Sequence, residues 1–392
     1  MKKLLSLALA LLLLAVMLPV TAMAAQPSVD WTNHDSENVY WVSGDQSGYT
    51  ATLAAALTEA YMANEDDITI TCRTNSDVGS LTHGHVADSI TIYGNNAYIS
   101  GGECDLEVDT FQFNRATGVQ DEKDGVYLDK DITITASNLY NLGVWGQRNT
   151  NYTVNINLTN CDSKEISGKE NVQRIYITGT TGVNNITVKD CDFLTTACAL
   201  YSNADGTVVI DNCTFNGGQV PVNFNHKASG AQIVTVKNCT FTNCGDANIG
   251  YAAPVRFVNS GNGSLNATIE NNTFTGTEGN NGDILLGDYR DGQASYNFTA
   301  TITPNGTTKV RNSGITDEPT PITGKVTADA KGNITPVKEE GPTTIVIISP
   351  TQDTPKTDDQ KNPSTGANDM VAAAAALMAV AALGMSILSR KK

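Results

Sequence analysis

Charged side chains that could do chemistry are densest at positions 287–292. This segment carries Asp288, Arg290 and Asp291, and Arg256 lies on an earlier stretch of similar pattern. Carboxylates can hold calcium, and carboxylates that converge on a glycosidic bond can hydrolyse it. These four residues are therefore the candidates for catalysis. Acidic turns of this kind are also commonly only solvated, so a purely structural role stays open.

Histidines and cysteines give no comparable cluster. His83 and His85 stand in a turn rich in Gly and Thr without an obvious third ligand, and His226 stands by itself. No Cys-x-x-Cys pair has a matching partner, which argues against structural zinc. We therefore expect no metal site and no cofactor, with calcium bound only if the chain is a lyase.

Eight segments repeat one pattern, a strand of alternating apolar and polar residues followed by Asn or Asp, often Cys, and then an aromatic residue. Successive strands begin 22, 42, 22, 32, 22, 26 and 33 residues apart. A basic step near 22 residues predicts a solenoid with one coil per step. The step of 42 is expected to hide a further coil around Leu106–Phe113. The strands begin at Ile68, Ile90, Ile132, Val154, Ile186, Val208, Val234 and Ala267.

The repeat resembles the pectate-lyase-like superfold over most of residues 65–300. The resemblance implies an all-β fold, a right-handed single-stranded parallel β-helix solenoid. Equivalent residues of neighbouring coils then lie about 4.8 Å apart, so that Asn side chains can form a hydrogen-bonded ladder beside stacked, reduced thiols. The predicted ladder is Asn160, Asp190, Asn212, Asn238 and Asn271; the thiols are Cys161, Cys191, Cys213 and Cys239; and the core rings are Phe193, Phe215, Phe241 and Phe274.

Residues 25–64 are expected to cap the first coil, because the end of a solenoid exposes its core and its strand edges. We predict a strand at Asn38–Gly44 and a short amphipathic helix at Thr50–Met62. Four other cysteines lie off the repeat, and Cys72 with Cys104 is the pair to test for a disulfide. The other two are Cys198 and Cys244.

Both ends of the chain carry targeting signals. Residues 1–24 have a basic start, an apolar stretch and small residues at the exit, which is typical of a signal peptide. Residues 362–392 hold a pentapeptide, an uncharged run at 370–388 and a basic tail. The pentapeptide resembles the LPxTG sorting signal of Gram-positive bacteria, with Asn in place of the usual Leu. It consists of Asn362, Pro363, Ser364, Thr365 and Gly366.

The sorting-signal resemblance implies that a sortase cuts after Thr365 and joins its carbonyl to peptidoglycan. Without cleavage, the apolar run would remain as a membrane anchor. Either outcome places the body outside the cell, in the wall or on the outer face of the membrane. Residues 314–361, rich in Thr, Pro, Asp and Lys, are expected to form an extended stalk below the solenoid at 65–313.

The charge of the chain limits its partners. The whole chain has 25 basic and 41 acidic residues, a net charge of −16. Removal of the signal peptide and of everything after Thr365 leaves 20 basic and 40 acidic residues, hence −20. Nucleic acid and bare anionic membrane are therefore poor partners. We expect no binding of nucleic acid and a monomeric body.

Two functions fit these observations. The first is an adhesin-like or glycan-binding solenoid that contacts host or plant glycans, since no cluster matches a catalytic motif. Aromatic residues in or near loops could stack on sugar rings. The alternative is a wall-anchored polysaccharide lyase or glycoside hydrolase, and a lyase of this fold needs an Arg or Lys base beside calcium-binding acids. The candidate sugar platforms are Tyr127, Trp145, Tyr176, Tyr201 and Tyr251.

Overall fold

Alternation of apolar and polar residues builds the long strands of the protein. In the strand Thr153–Thr159, Val154, Ile156 and Leu158 are fully buried, whereas the residues between them are half-buried. Successive side chains of a strand point to opposite faces, so each strand lays one face on the core and turns the other outward.

The computed structural model describes residues 25–63, 67–81, 87–100, 105–107, 112–114, 119–121, 131–147, 151–163, 174–194, 197–287, 297–312, 318–329 and 333–338. These residues belong to one unit of the chain, which runs to Lys338. Its elements in chain order are β1 Val39–Ser43, β2 Gln46–Thr50, α1 Leu53–Ala63, β3 Asp67–Cys72, β4 Ser89–Tyr98, β5 Asp105–Glu107, β6 Gln112–Asn114, β7 Val119–Asp121, β8 Ile132–Tyr140, β9 Gly143–Gln147, β10 Thr153–Thr159, β11 Ile175–Thr178, β12 Val183–Lys189, β13 Asp192–Leu194, β14 Leu200–Ser202, β15 Gly206–Asp211, β16 Thr214–Asn216, β17 Val222–His226, β18 Ala231–Lys237, β19 Thr240–Thr242, β20 Val255–Asn259, β21 Ser264–Glu270, β22 Thr273–Thr275, β23 Ile284–Leu286, β24 Phe298–Thr303, β25 Thr308–Asn312, β26 Thr320–Ile322, β27 Val326–Asp329 and β28 Ile334–Pro336.

Three sheets run along the solenoid, and from β12 to β23 each coil visits them in the order A, C, B. The predicted fold class is confirmed, since the sheets are mostly parallel and one short helix stands near the N-terminus. Sheet A has the order β2-β1-β3-β4-β8-β10-β12-β15-β18-β21-β24-β27-β28, sheet B the order β26-β25-β23-β20-β17-β14-β11-β9-β5, and sheet C the order β13-β16-β19-β22.

Stacked rings fill the core beside sheet C, as the repeat predicts. The ring centroids of Phe193 and Phe215 lie 5.1 Å apart, those of Phe215 and Phe241 4.8 Å, and those of Phe241 and Phe274 5.0 Å. The rings are nearly parallel, with interplanar angles of 6°, 7° and 12°. One aromatic residue per coil therefore continues the core along the solenoid axis.

The step of 42 residues contains no hidden coil of sheet A, and that prediction is wrong. β4 pairs directly with β8, with Thr91 opposite Thr135. The segment Leu106–Phe113 instead contributes β5 to sheet B, and β6 then pairs with β7 in an antiparallel hairpin. The extra residues are an insertion within one coil, because a further coil would have to place a strand between β4 and β8.

The N-terminal cap combines an antiparallel sheet edge with the helix. β1 lies between β2 and β3 and is antiparallel to both. The helix begins at Leu53 rather than at the predicted Thr50, because Thr50 ends β2. The side chain of Thr52 caps the helix by accepting a hydrogen bond of 3.2 Å from the amide of Ala55.

The C-terminal end of the solenoid is also closed by antiparallel strands. β27 pairs with β24 and β28, and β26 pairs with β25. The strands β26, β27 and β28 lie inside the segment 314–361, which the sequence predicts to be a stalk. The folded body therefore continues to Pro336, and the predicted boundary at 313 is too early.

The signal peptide, the apolar run at 370–388 and the sorting signal lie outside the described residues. Within the described ranges, no helix has the length and apolar character needed to cross a membrane.

Candidate functional site

The outer face of sheet B carries large rings and guanidinium groups in neighbouring coils. In β11, Ile175 and Ile177 are buried in the core, so the intervening Tyr176 points outward. Tyr176 pairs with Trp145 of β9 on one side and with Tyr201 of β14 on the other. Three successive coils thus place an aromatic residue at the same outward position.

Two of these rings form a continuous surface. The centroids of Tyr176 and Tyr201 lie 4.7 Å apart with an interplanar angle of 18°, which matches the strand spacing. Both side chains are half-buried, so part of each ring meets solvent. Such a stack offers a rigid, amphipathic platform with hydroxyl groups at its edge.

The same outward column continues into polar and cationic residues. Asn223 of β17 follows Tyr201, and Arg256 of β20 follows Asn223. Arg256 Nη1 donates a hydrogen bond of 2.9 Å to Asn223 Oδ1, and its Cζ atom lies 5.6 Å from the centroid of the Tyr251 ring. The guanidinium is therefore held by an amide and a ring, with the residue only 3% exposed. We call Arg174, Trp145, Tyr176, Tyr201, Tyr251 and Arg256 the aromatic–arginine face.

Two arginine charges act on the centre of this face. Burial raises the pKa of the Tyr201 hydroxyl to about 12, against an opposing effect of Arg256. Burial also raises the pKa of Tyr176, and Arg174 opposes that shift. Burial raises the pKa of the Cys198 thiol to about 12, although both guanidinium groups lower it. The two hydroxyls thus remain protonated donors at neutral pH, beside positive charge in an acidic protein.

The structure brings together part of the predicted site. Arg256 joins the four described aromatic candidates on one side of the solenoid, whereas Tyr127, Asp288, Arg290 and Asp291 lie outside the described residues. The lyase hypothesis therefore stays a prediction. Arg174 and Asn223 are not among the residues that the sequence analysis names. Arg174 stands two residues before Tyr176, and Asn223 pairs with Tyr201 in the next coil. Either relation to an outward ring could have indicated them.

The predicted asparagine ladder is formed only in part. All five of its residues have a left-handed φ between 51° and 55°, which Asn and Asp adopt more readily than other residues with a Cβ. Asn212 Nδ2 donates to Asp190 Oδ1 at 2.7 Å, as a ladder requires, but Asn238 donates to Asp211 instead. Asn160 donates to Asn138, one coil earlier. Backbone conformation at the bend is therefore the shared property of these residues.

The predicted thiol stack is present. Cys161, Cys191, Cys213 and Cys239 are buried and form no disulfide, and the Cys161 amide lies 3.3 Å from Cys191 Sγ. Cys72 is also a buried, reduced thiol whose pKa burial raises to about 12. Its suggested partner Cys104 lies outside the described residues.

His226 is part of a buried polar cluster at the end of β17. Its Nε2 lies 2.7 Å from Asp205 Oδ1 and its Nδ1 3.1 Å from Asn259 Oδ1. Asn259 Nδ2 donates to the Gly263 carbonyl at 3.0 Å, so that the Asn259 Oδ1 atom lies toward the histidine ring. The cluster links three coils. No group of three or more potential metal ligands occurs among the described residues, and His83 and His85 are not among them.

A comparison with family models, with curated proteins and with solved structures found no match to this chain. The function must therefore be inferred from the residues themselves.

Proposed function

We propose that this chain is a glycan-binding solenoid displayed on the surface of a Gram-positive bacterium, and that its aromatic–arginine face binds anionic oligosaccharides. The observation that carries the proposal is the outward register of Trp145, Tyr176 and Tyr201 in three successive coils. A sugar chain that follows the solenoid axis would meet one ring per coil.

Aromatic rings suit carbohydrate because the C–H groups of a pyranose ring can lie flat on them while the tyrosine hydroxyls bond to the sugar hydroxyls. The stacked pair of Tyr176 and Tyr201 is ordered before any ligand arrives. Little conformational entropy is then lost on binding.

The arginines favour an acidic sugar over a neutral one. The chain carries a net charge of −16, so a nonspecific anion would be repelled by most of its surface. Arg174 is half-buried and its charge acts on Tyr176 and Cys198, whereas Arg256 is only 3% exposed and adds positive charge from below the surface. A guanidinium binds a carboxylate in a bidentate manner, which suits uronic acids or sialic acids.

Display at the surface is part of the proposal. The signal peptide, the stalk and the sorting signal around Thr365 support export and attachment to peptidoglycan by a sortase. The resemblance of the repeat to pectate-lyase-like β-helices supports carbohydrate as the ligand class, and the fold by itself leaves binding and cleavage open.

The test is a binding screen of the full chain against neutral and acidic oligosaccharides. We expect binding of acidic members, a loss of about tenfold or more in affinity for the double variant Tyr176→Ala/Tyr201→Ala, and weaker binding at high salt. Tyr40→Ala is the matched control, because the Tyr40 ring also contacts a tyrosine, with its centroid 4.8 Å from that of Tyr49 at an angle of 50°, but in the cap. Binding that the control variant weakens equally would contradict the proposal.

The same preparations also test cleavage. Incubation with uronic-acid polymers and calcium should release no unsaturated sugar if the chain only binds. Release that is lost in Asp288→Ala or Asp291→Ala would overturn the proposal in favour of a lyase.

A further inference from the structure

The outer face of sheet A differs in chemistry from the aromatic–arginine face. Its central outward column continues in register from β3 to β27. Asn157 and Val209 occupy two positions of that column. All the other positions are threonine, at Thr69, Thr91, Thr135, Thr187, Thr235, Thr268, Thr301 and Thr327.

A parallel column lies two residues earlier in each strand and is also uncharged between β4 and β24. It holds hydroxyl, amide and aliphatic side chains, namely Ser89, Thr133, Asn155, Asn185, Thr207, Ile233, Asn266 and Thr299. We call these two columns, from β4 to β24, the threonine face.

Neighbouring side chains on this face order one another. Asn155 Nδ2 donates to Thr133 Oγ1 at 3.2 Å, and Asn185 Nδ2 donates to Asn155 Oδ1 at 3.0 Å. The backbone amide of Thr207 donates to Asn185 Oδ1 at 3.0 Å. Threonine is β-branched and holds few rotamers. The hydroxyl and amide groups are therefore fixed in a row before any partner arrives.

Strand propensity explains why threonine is frequent here, but it does not explain why charge is missing. The chain has 66 charged residues, and within the sheet A strands from β4 to β24 the charges lie one column away. Lys237 and Asp211 form an ion pair of 3.3 Å there, beside Lys189 and Glu270. Asp67 of β3 and Asp329 of β27 flank the two ends of the face, opposite Ser89 and Thr299. Charged side chains are thus tolerated on these strands, but between β4 and β24 they do not enter the two columns of the face.

We propose that the threonine face binds the flat surface of a crystalline, uncharged polysaccharide. Its groups repeat every 4.8 Å or so along the solenoid axis and roughly every 6.8 Å along each strand, which forms a lattice of donors, acceptors and methyl groups. A crystalline polysaccharide presents hydroxyl and C–H groups in a comparable repeating array. An ionic ligand would find no counter-charge on these positions. This site is independent of the aromatic–arginine face on sheet B, which is proposed to bind anionic sugars.

The experiment measures how much of the full chain sediments with microcrystalline cellulose and with crystalline chitin. We expect Thr235→Lys/Thr268→Lys to lower the apparent affinity about tenfold or more, because two ammonium groups prevent close approach at the centre of the face. Thr301→Lys should reduce binding, whereas Thr303→Lys should not. Both residues are half-buried on β24, but Thr303 pairs with Glu270 in the charged column. Unchanged far-ultraviolet circular dichroism would show that each variant folds.

The two proposals can fail separately. Tyr176→Ala/Tyr201→Ala should bind crystalline polysaccharide as the wild type does, even where it loses acidic oligosaccharides. The inference is overturned if the chain sediments with neither solid, if the tyrosine variant loses this binding, or if Thr303→Lys is as harmful as Thr301→Lys. Adsorption to ice crystals in place of polysaccharide would also overturn it.

Discussion

The bends that follow the strands of sheet A and the outer face of sheet B belong to the same coils, yet only the bends repeat. A left-handed Asn or Asp, a small thiol and a core ring recur from coil to coil. On sheet B, the residue type at one outward position changes from coil to coil. Successive coils carry Trp145, Tyr176, Tyr201, Asn223 and Arg256 there.

Bend and core positions constrain the sequence more strongly than outward positions do. Every coil must turn the chain and fill its share of the core, so residues with these tasks recur. An outward position makes no such demand, because solvent accepts many side chains there. The half-buried outward positions at Trp145, Tyr176 and Tyr201 are therefore not fixed by the core and can serve binding.

The largest expected effect is on the repeated region. Phe215→Ala should lower the free energy of unfolding by about 3–5 kcal/mol, because it opens a cavity between two stacked rings. Thr214→Ala, its outward neighbour, should change it by about 0.5 kcal/mol or less. Denaturant unfolding measures both variants, and equal losses would contradict the distinction between core and outward positions.

A substitution at the buried end of β17 should lower the free energy of unfolding as a substitution in the bends does, although β17 belongs to sheet B. His226→Ala should cost about 3 kcal/mol, since it removes a buried partner of Asp205 and Asn259. Lys227→Ala, at the exposed next residue, is the control. If both substitutions leave the denaturation midpoint unchanged, the cluster does not link the coils.

A smaller effect separates backbone conformation from the side-chain ladder. Asn212→Ala should cost about 1–2 kcal/mol, because Ala is strained at a φ of 53°. Asn212→Gly should cost less, since glycine adopts this conformation freely. A glycine variant as unstable as the alanine variant would instead assign the stabilisation to the bond with Asp190.

A pH-dependent effect concerns Tyr201. Its pKa is raised to about 12 by burial, against about 10 in an unfolded chain. Its contribution to stability is fully present below pH 10 and fades as the pH rises toward 12, because the unfolded chain loses the proton first. Between pH 10 and 12, the free energy of unfolding of the wild type should therefore fall more steeply than that of Tyr201→Phe. Denaturant unfolding at several pH values measures this difference. Parallel pH profiles of the two proteins would contradict the burial of this hydroxyl.

The sequence predicted the strands of sheet A and the stacked rings because their period and bend residues recur. It did not predict sheet B, whose strands β11, β14 and β23 are only three or four residues long. Arg256 was found as a charged residue, but its contact with Tyr251 depends on a loop. The C-terminal cap was missed because β26 and β28 contain proline, which favours an extended linker when read locally.

The most direct test of the central claim is a crystal structure of the full chain with the tightest-binding acidic oligosaccharide. We expect a sugar ring over Tyr176 and Tyr201, with its acidic group within hydrogen-bonding distance of Arg174. A sugar bound elsewhere, with the aromatic–arginine face unoccupied, would contradict the proposed function.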